Sequence, residues 1–141
     1  MYYEGTFQDH IIRWKIDSTY QPPERTEALL NYNPHLLQYV FDQTEEMCFA
    51  AIRKDAFLFR YIKHPTIEMM RLAVAQADWV IDEVKHQTEE LCLVAVRANG
   101  RALRYVKKQT FEICLEACLQ MKQIKYVRSH KIRNQLKLVL I

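Results

Sequence analysis

Glycine and proline are scarce in this 141-residue chain, at 2 and 4 residues. With half of the residues hydrophobic, that scarcity leaves little room for loops and suits one all-helical domain, long enough to bury a continuous core. Gly5 and Gly100 stand alone, so there is no glycine-rich loop to cradle a phosphate. No stretch of eighteen apolar residues occurs and no basic-then-apolar leader opens the chain, so neither membrane spanning nor secretion is indicated and a cytoplasmic protein is expected. No linker or low-complexity segment divides it. Nothing brings a nucleophile, an orienting carboxylate and a histidine together in the sequence, so no catalysis and no cofactor are expected.

What the chain does have is a period. Thr44, Thr66, Thr88 and Thr110 are each 22 residues apart, and four other registers keep the step: Val40, Ile62, Val84 and Val106; Ala51, Ala73, Ala95 and Ala117; Cys48, Met70, Cys92 and Cys114; and the capping register below. A period of this length marks stacked helical pairs, and the expected fold is all-α, a right-handed α-solenoid of short helix-turn-helix repeats. Asn33, Asp55 and Asn99 open the first, short helix of a copy as caps; Ala77 breaks the rule, with Asp78 as a substitute. Pro34 suits a first helical turn. Apolar pairs three apart follow, Leu37 with Val40, Phe59 with Ile62, Ile81 with Val84 and Leu103 with Val106, so one side of this helix is buried. After a corner at 42–43, 64–65, 86–87 or 108–109, the threonine caps a longer helix, and Glu46, Glu68, Glu90 or Glu112 sets negative charge against its positive end. The recurring alanine sits where another helix can approach closely.

The single domain divides into a degenerate N-terminal repeat at 1–32, four regular repeats at 33–121 and a shortened C-terminal repeat at 122–141. In the first, Ile11 to Ile16 is the opening helix, Pro22-Pro23 a longer corner, and Thr26 to Leu30 the second helix. In the last, residues 131–141 form a second helix without a threonine cap.

The 4 cysteines carry no zinc-site spacing. Three share a register that also accepts Met70, which marks a core slot; Cys114 and Cys118 lie four apart with no paired second cluster, so no metal is expected. Unpaired buried thiols fit a reducing compartment. His64 and His86 share a solvated corner position with Asp42 and Lys108.

Written out from Asn99, the unit is Asn-x-x-x-Leu-x-Tyr-Val-Lys-x-Gln-Thr-x-Glu-x-Cys-Leu-x-Ala, and Glu83 to Cys92 repeats its centre. This resembles a family of tandem helical repeats in bacterial and large-virus proteins, catalogued as a domain of unknown function. The likeness covers roughly residues 33 to 128 and implies the fold; it implies no functional residues.

Function is therefore sought on the surface. The net charge is +3, yet residues 1–100 hold 10 basic and 15 acidic residues, a net of −5, whereas residues 101–141 hold 10 basic and 2 acidic, a net of +8. Such asymmetry points to an acidic protein surface, a nucleic-acid backbone or an acidic neighbouring copy. Positions three, six and ten of each unit lie away from the buried stripe and are expected to form a ladder, including Phe57 and Arg60, then Trp79, then Arg101, Arg104 and Lys108, then Lys122 and Lys125. Together with Arg128 these are the candidate partner-binding residues, since aromatic and arginine anchors dominate interfaces. Tyr39, Tyr61, Tyr105 and Tyr126 are expected at the edges of the core.

The expected role is a non-catalytic protein-binding module, an adaptor or a stoichiometric inhibitor such as a viral or mobile-element product. The alternative is nucleic-acid backbone binding by the basic C-terminal region. The apolar tail from Leu136 to Ile141 is expected to fold back over the last unit, with self-association open to it.

Overall fold

Capping chemistry sets where most of the long helices begin. In the computed structural model, which describes residues 6–140, every regular element of the described residues is a helix, and there is no strand among them. The chain separates into two compact units that meet in sequence at His64 and Pro65.

The first unit contains α1 (Phe7–Ile16), the 3-10 turn η1 (Ser18–Tyr20), α2 (Pro23–Tyr32), η2 (Pro34–Tyr39), α3 (Glu45–Lys54) and η3 (Ala56–Tyr61). Thr6 and Asp9 form a reciprocal capping box at the start of α1: the Thr6 amide donates to the Asp9 carboxylate at 2.8 Å and the Asp9 amide to the Thr6 hydroxyl at 3.2 Å. The Thr6 hydroxyl also donates to the Asp9 carboxylate at 2.6 Å, and that bond, followed by the one from the Thr6 amide, holds the Asp9 carboxyl below its ordinary range. The second unit contains α4 (Ile67–Gln76), the single turn α5 (Val80–Glu83), α6 (Glu89–Ala98), η4 (Gly100–Tyr105), α7 (Phe111–Met121) and α8 (His130–Val139). Within it α4 packs on α6, α6 on α7, and η4 against both α6 and α7.

All four threonine caps are in place. Thr44, Thr66, Thr88 and Thr110 each accept from the amide three residues on, at 3.2–3.3 Å. Asn33, Asp55 and Asn99 cap the short elements through the amides of His35, Phe57 and Arg101. The short elements are 3-10 turns in three copies, with three residues per turn. That geometry brings positions three apart onto one side, the reason Leu37 with Val40 and Leu103 with Val106 are buried as pairs. Ala51, Ala73, Ala95 and Ala117 are buried as expected.

Several expectations need correction. Asp78 is not a cap: α5 starts after Trp79 and has no side-chain cap bond, because its N-cap position holds an indole. The N-terminal segment is built differently from the expected pair. Its first helix is ten residues of α-helix, and the prolines do not interrupt it but begin α2, with Pro22 at the cap and Pro23 at the first helical position, where a missing amide costs nothing. Thr26 therefore lies inside α2, buried, and accepts from the Trp14 indole at 3.2 Å. The C-terminal helix is capped after all, by Ser129, whose hydroxyl accepts from Ile132 at 3.4 Å. Met70 is only half-buried, being longer than the thiol that fills its register elsewhere, and the enclosed sulfur of that copy belongs to Met69.

The cores are apolar and nearly closed. Trp14, Leu37, Ile52 and Leu58 are fully buried in the first unit, and Ile81, Leu91, Leu103, Ile113 and Leu136 in the second. Each such side chain contributes about 1.5–3 kcal/mol relative to exposure. No buried side-chain nitrogen or oxygen lacks a partner among the described residues.

Candidate functional site

The most regular polar feature is a glutamine brace absent from the expected site. Gln43 donates through Nε2 to the carbonyl of Leu37, in its own repeat, at 3.0 Å and to that of Tyr61, in the next repeat, at 2.8 Å, while its Oε1 accepts from the Lys63 amide at 2.9 Å. Gln87 repeats the set on Ile81, Tyr105 and Lys107, and Gln109 on Leu103, Tyr126 and Arg128. Gln21 does the same on Trp14, Tyr39 and Phe41. A primary amide is the side chain with donors on one atom and an acceptor on the other, so a single residue satisfies carbonyl ends in two repeats and an amide in the second. The fifth member of this register is Pro65, which has no side-chain amide. The sequence carried the signal: Gln21, Gln43, Gln87 and Gln109 share the 22-residue register, Gln21 at the corner of the degenerate N-terminal repeat.

The brace positions what lies beside it. In the first unit η2 and η3 are neighbours, and position-three side chains of successive copies meet: the His35 and Phe57 rings are 5.9 Å apart, each about 6 Å from the Tyr61 ring. Arg60 lies over Phe57, its guanidinium carbon 4.0 Å from the ring centroid. Phe57 is half-buried and Arg60 exposed, so these two expected site residues belong to one aromatic and cationic cluster.

In the second unit Arg104 extends over two tyrosines of successive copies, 5.2 Å from the Tyr105 centroid and 5.7 Å from that of Tyr126, and Lys125 approaches the same Tyr126 ring at 5.5 Å. Arg104 and Lys125 are thus brought together. Arg101, Lys108 and Lys122 are exposed on the same two copies, Lys122 in the left-handed conformation (φ 57°) at the end of α7. Trp79 is half-buried at the start of α5.

Arg128 does other work. Its guanidinium donates to the carbonyls of Val106 and Lys107, the latter at 2.9 Å, and its amide is held by Gln109. Lys63 makes the equivalent contact in the first unit, its ammonium donating to the Val40 carbonyl at 2.6 Å. These cations close the ends of short helical turns, where carbonyl ends favour positive charge.

The tail is divided. Leu136 is fully buried and Leu140 lines a groove with Cys118 and Leu119, whereas Leu138 and Val139 are 78% and 59% exposed. Cys48, Cys92, Cys114 and Cys118 are all free and buried. Burial raises each thiol above its ordinary range, and Cys114, beside Cys118, is pushed up to about 11. No group of three or more histidine, cysteine or carboxylate side chains able to hold a metal occurs among the described residues. No helix among them is long and apolar enough to cross a membrane. Comparison of the chain with protein-family models, with curated proteins and with solved structures finds no match.

Proposed function

We propose that the chain is a non-catalytic binding module built as a right-handed α-solenoid, which engages an acidic protein surface through the cations of its last two copies. The observation that carries this reading is the Arg104, Tyr105, Lys125 and Tyr126 cluster. Cations laid on aromatic rings are held in place before a partner arrives, so less side-chain entropy is lost on binding. Arg101, Lys108 and Lys122 flank the cluster and speed encounter with an anionic surface. Phe57 with Arg60 forms a separate anchor of the type that supplies affinity at the centre of an interface. Such a module acts by occupying its partner, as an adaptor or a stoichiometric inhibitor. The four free thiols are consistent with a reducing cytoplasm.

A nucleic-acid backbone is the alternative partner, favoured by the same interleaving of cations with Tyr105 and Tyr126, which suits unpaired bases. The test is a variant carrying R101E, R104E, K122E and K125E with an unchanged circular dichroism spectrum. Proteins captured by the wild-type chain from lysate should be lost by the variant, and unchanged capture refutes the assigned face. Retardation of a single-stranded oligonucleotide at low salt, abolished in the variant and falling steeply with added salt, would transfer the site to nucleic acid.

A further inference from the structure

Successive long helices of the second unit are tied across their outer surfaces by ion pairs. Arg71 of α4 bonds Glu90 of α6, and Arg97 of α6 bonds Glu116 of α7 at 3.2 Å, both over a separation of 19 residues. Two repeats upstream, the register of Arg71 and Glu90 falls on Glu27 of α2 and Glu46 of α3. An ion pair is impossible there, and like charges resist closure. What lies between α2 and α3 instead is a groove of about 470 Å³, with Pro23, Leu30, Met47 and Ala50 supplying apolar lining, Glu27 and Glu46 both lining it, and Lys54 its single cation.

The chain also carries a surface of matching chemistry. Helix α8 has no acidic residue; Leu136 faces the core, while Lys131, Lys137, Leu138 and Val139 are exposed. Lys131 and Leu138, seven apart, fall on the same side of the helix. We propose that the α2–α3 groove receives α8 of a second copy, with Leu138 entering the apolar lining, and Lys131, on the same side of the helix, and Lys137 meeting Glu27 and Glu46. The two surfaces are different, so each copy offers one groove and one α8, and the contact builds assemblies of two or more copies in which a groove holds the α8 of another copy. None of the cations assigned to partner binding takes part, so this contact stands or falls independently of that reading.

Sedimentation velocity of the full chain tests it. The average mass should climb with protein concentration above that of one copy, and fall as salt screens the charges. E27K/E46K alone and K131E/K137E alone should remain monomeric, since each sets like charges against each other, and an equimolar mixture of the two should recover association. L138D should weaken association about tenfold, with melting curves checking that each variant is folded. R101E/R104E/K122E/K125E should associate as the wild type does, which separates this contact from the partner-binding face. A wild-type chain that stays monomeric at the highest attainable concentration, or a charge-swapped mixture that fails to associate, overturns the proposal.

Discussion

The helix pair α2 and α3 and the helix pair α6 and α7 follow one scheme and present opposite surfaces. A glutamine at the corner braces each scheme, Gln21 ahead of α2 and Gln109 ahead of α7, with its amide on two carbonyls and its carbonyl on one amide. Outside the brace the pairs diverge: α6 and α7 are tied by Arg97 and Glu116, while α2 and α3 open into a groove lined by Glu27 and Glu46. The difference teaches that spacing is fixed by side-chain bonds to backbone, which do not depend on the identity of neighbouring side chains. Surfaces are therefore free to change without altering the frame.

The comparison breaks most severely if the brace is removed. Gln109→Ala strips three hydrogen bonds and leaves the carbonyls of Leu103 and Tyr126 without this donor, and should cost about 3 kcal/mol in a denaturant titration. Gln21→Ala should act in the same direction if the N-terminal copy obeys the same scheme, and a negligible effect there would separate the two. Next is Gly100, whose amide donates to Gln120 at 2.9 Å. A Cβ built there lies 2.5 Å from Met121 Cγ and 2.6 Å from the Ala117 carbonyl oxygen, so Gly100→Ala forces η4 away from α7 and should cost about 2 kcal/mol. Thr88→Ala removes one helix cap and should cost about 1 kcal/mol, measured in the same titration.

A smaller effect comes from the thiols. Because burial raises the native thiols, the unfolded chain releases protons first as pH passes the ordinary thiol value of 9.0. Unfolding then binds fewer protons than the native state holds, so stability falls from that pH until the native Cys114 itself ionises at about 11. Cys114→Ala should flatten this alkaline slope, seen by comparing denaturation midpoints of the two proteins at neutral and alkaline pH. Smallest is Glu27→Arg, which gives α2 and α3 the pairing of Arg71 with Glu90. A slight rise in melting temperature is expected, as for any exposed ion pair, and a fall would show that the two helix pairs are not equivalent.

Sequence period and capping residues revealed most of the helical frame. Threonine, asparagine and aspartate act on amides two or three residues away, so their roles depend on local chain order alone, and the caps at Thr44, Thr66, Thr88, Thr110, Asn33, Asp55 and Asn99 were legible for that reason. Thr26 lies outside that logic, because its partner, Trp14, is 12 residues away in another helix. In the candidate site, Phe57 with Arg60 and Arg104 with Lys125 come together as the register suggested. The carbonyl bonds of Arg128 are not legible in sequence, because charge and register do not reveal which carbonyls lie within reach of a long side chain. The brace went unrecognised although four glutamines kept the period, since its partners are main-chain atoms about 18 residues onward and leave no mark on composition.

By itself the sequence determined a helical chain with a 22-residue beat, the ends of its long helices, the apolar stripe and the concentration of positive charge after residue 100. These follow from bonds and periodicities within a few residues. Only the tertiary structure decided that glutamine joins successive repeats, that Arg128 serves the backbone, that Gly100 is needed where α7 passes, and that Glu27 and Glu46 both line an open groove. Each of those depends on how closely two segments distant in sequence approach, a distance that packing of side chains sets and that the period leaves undetermined.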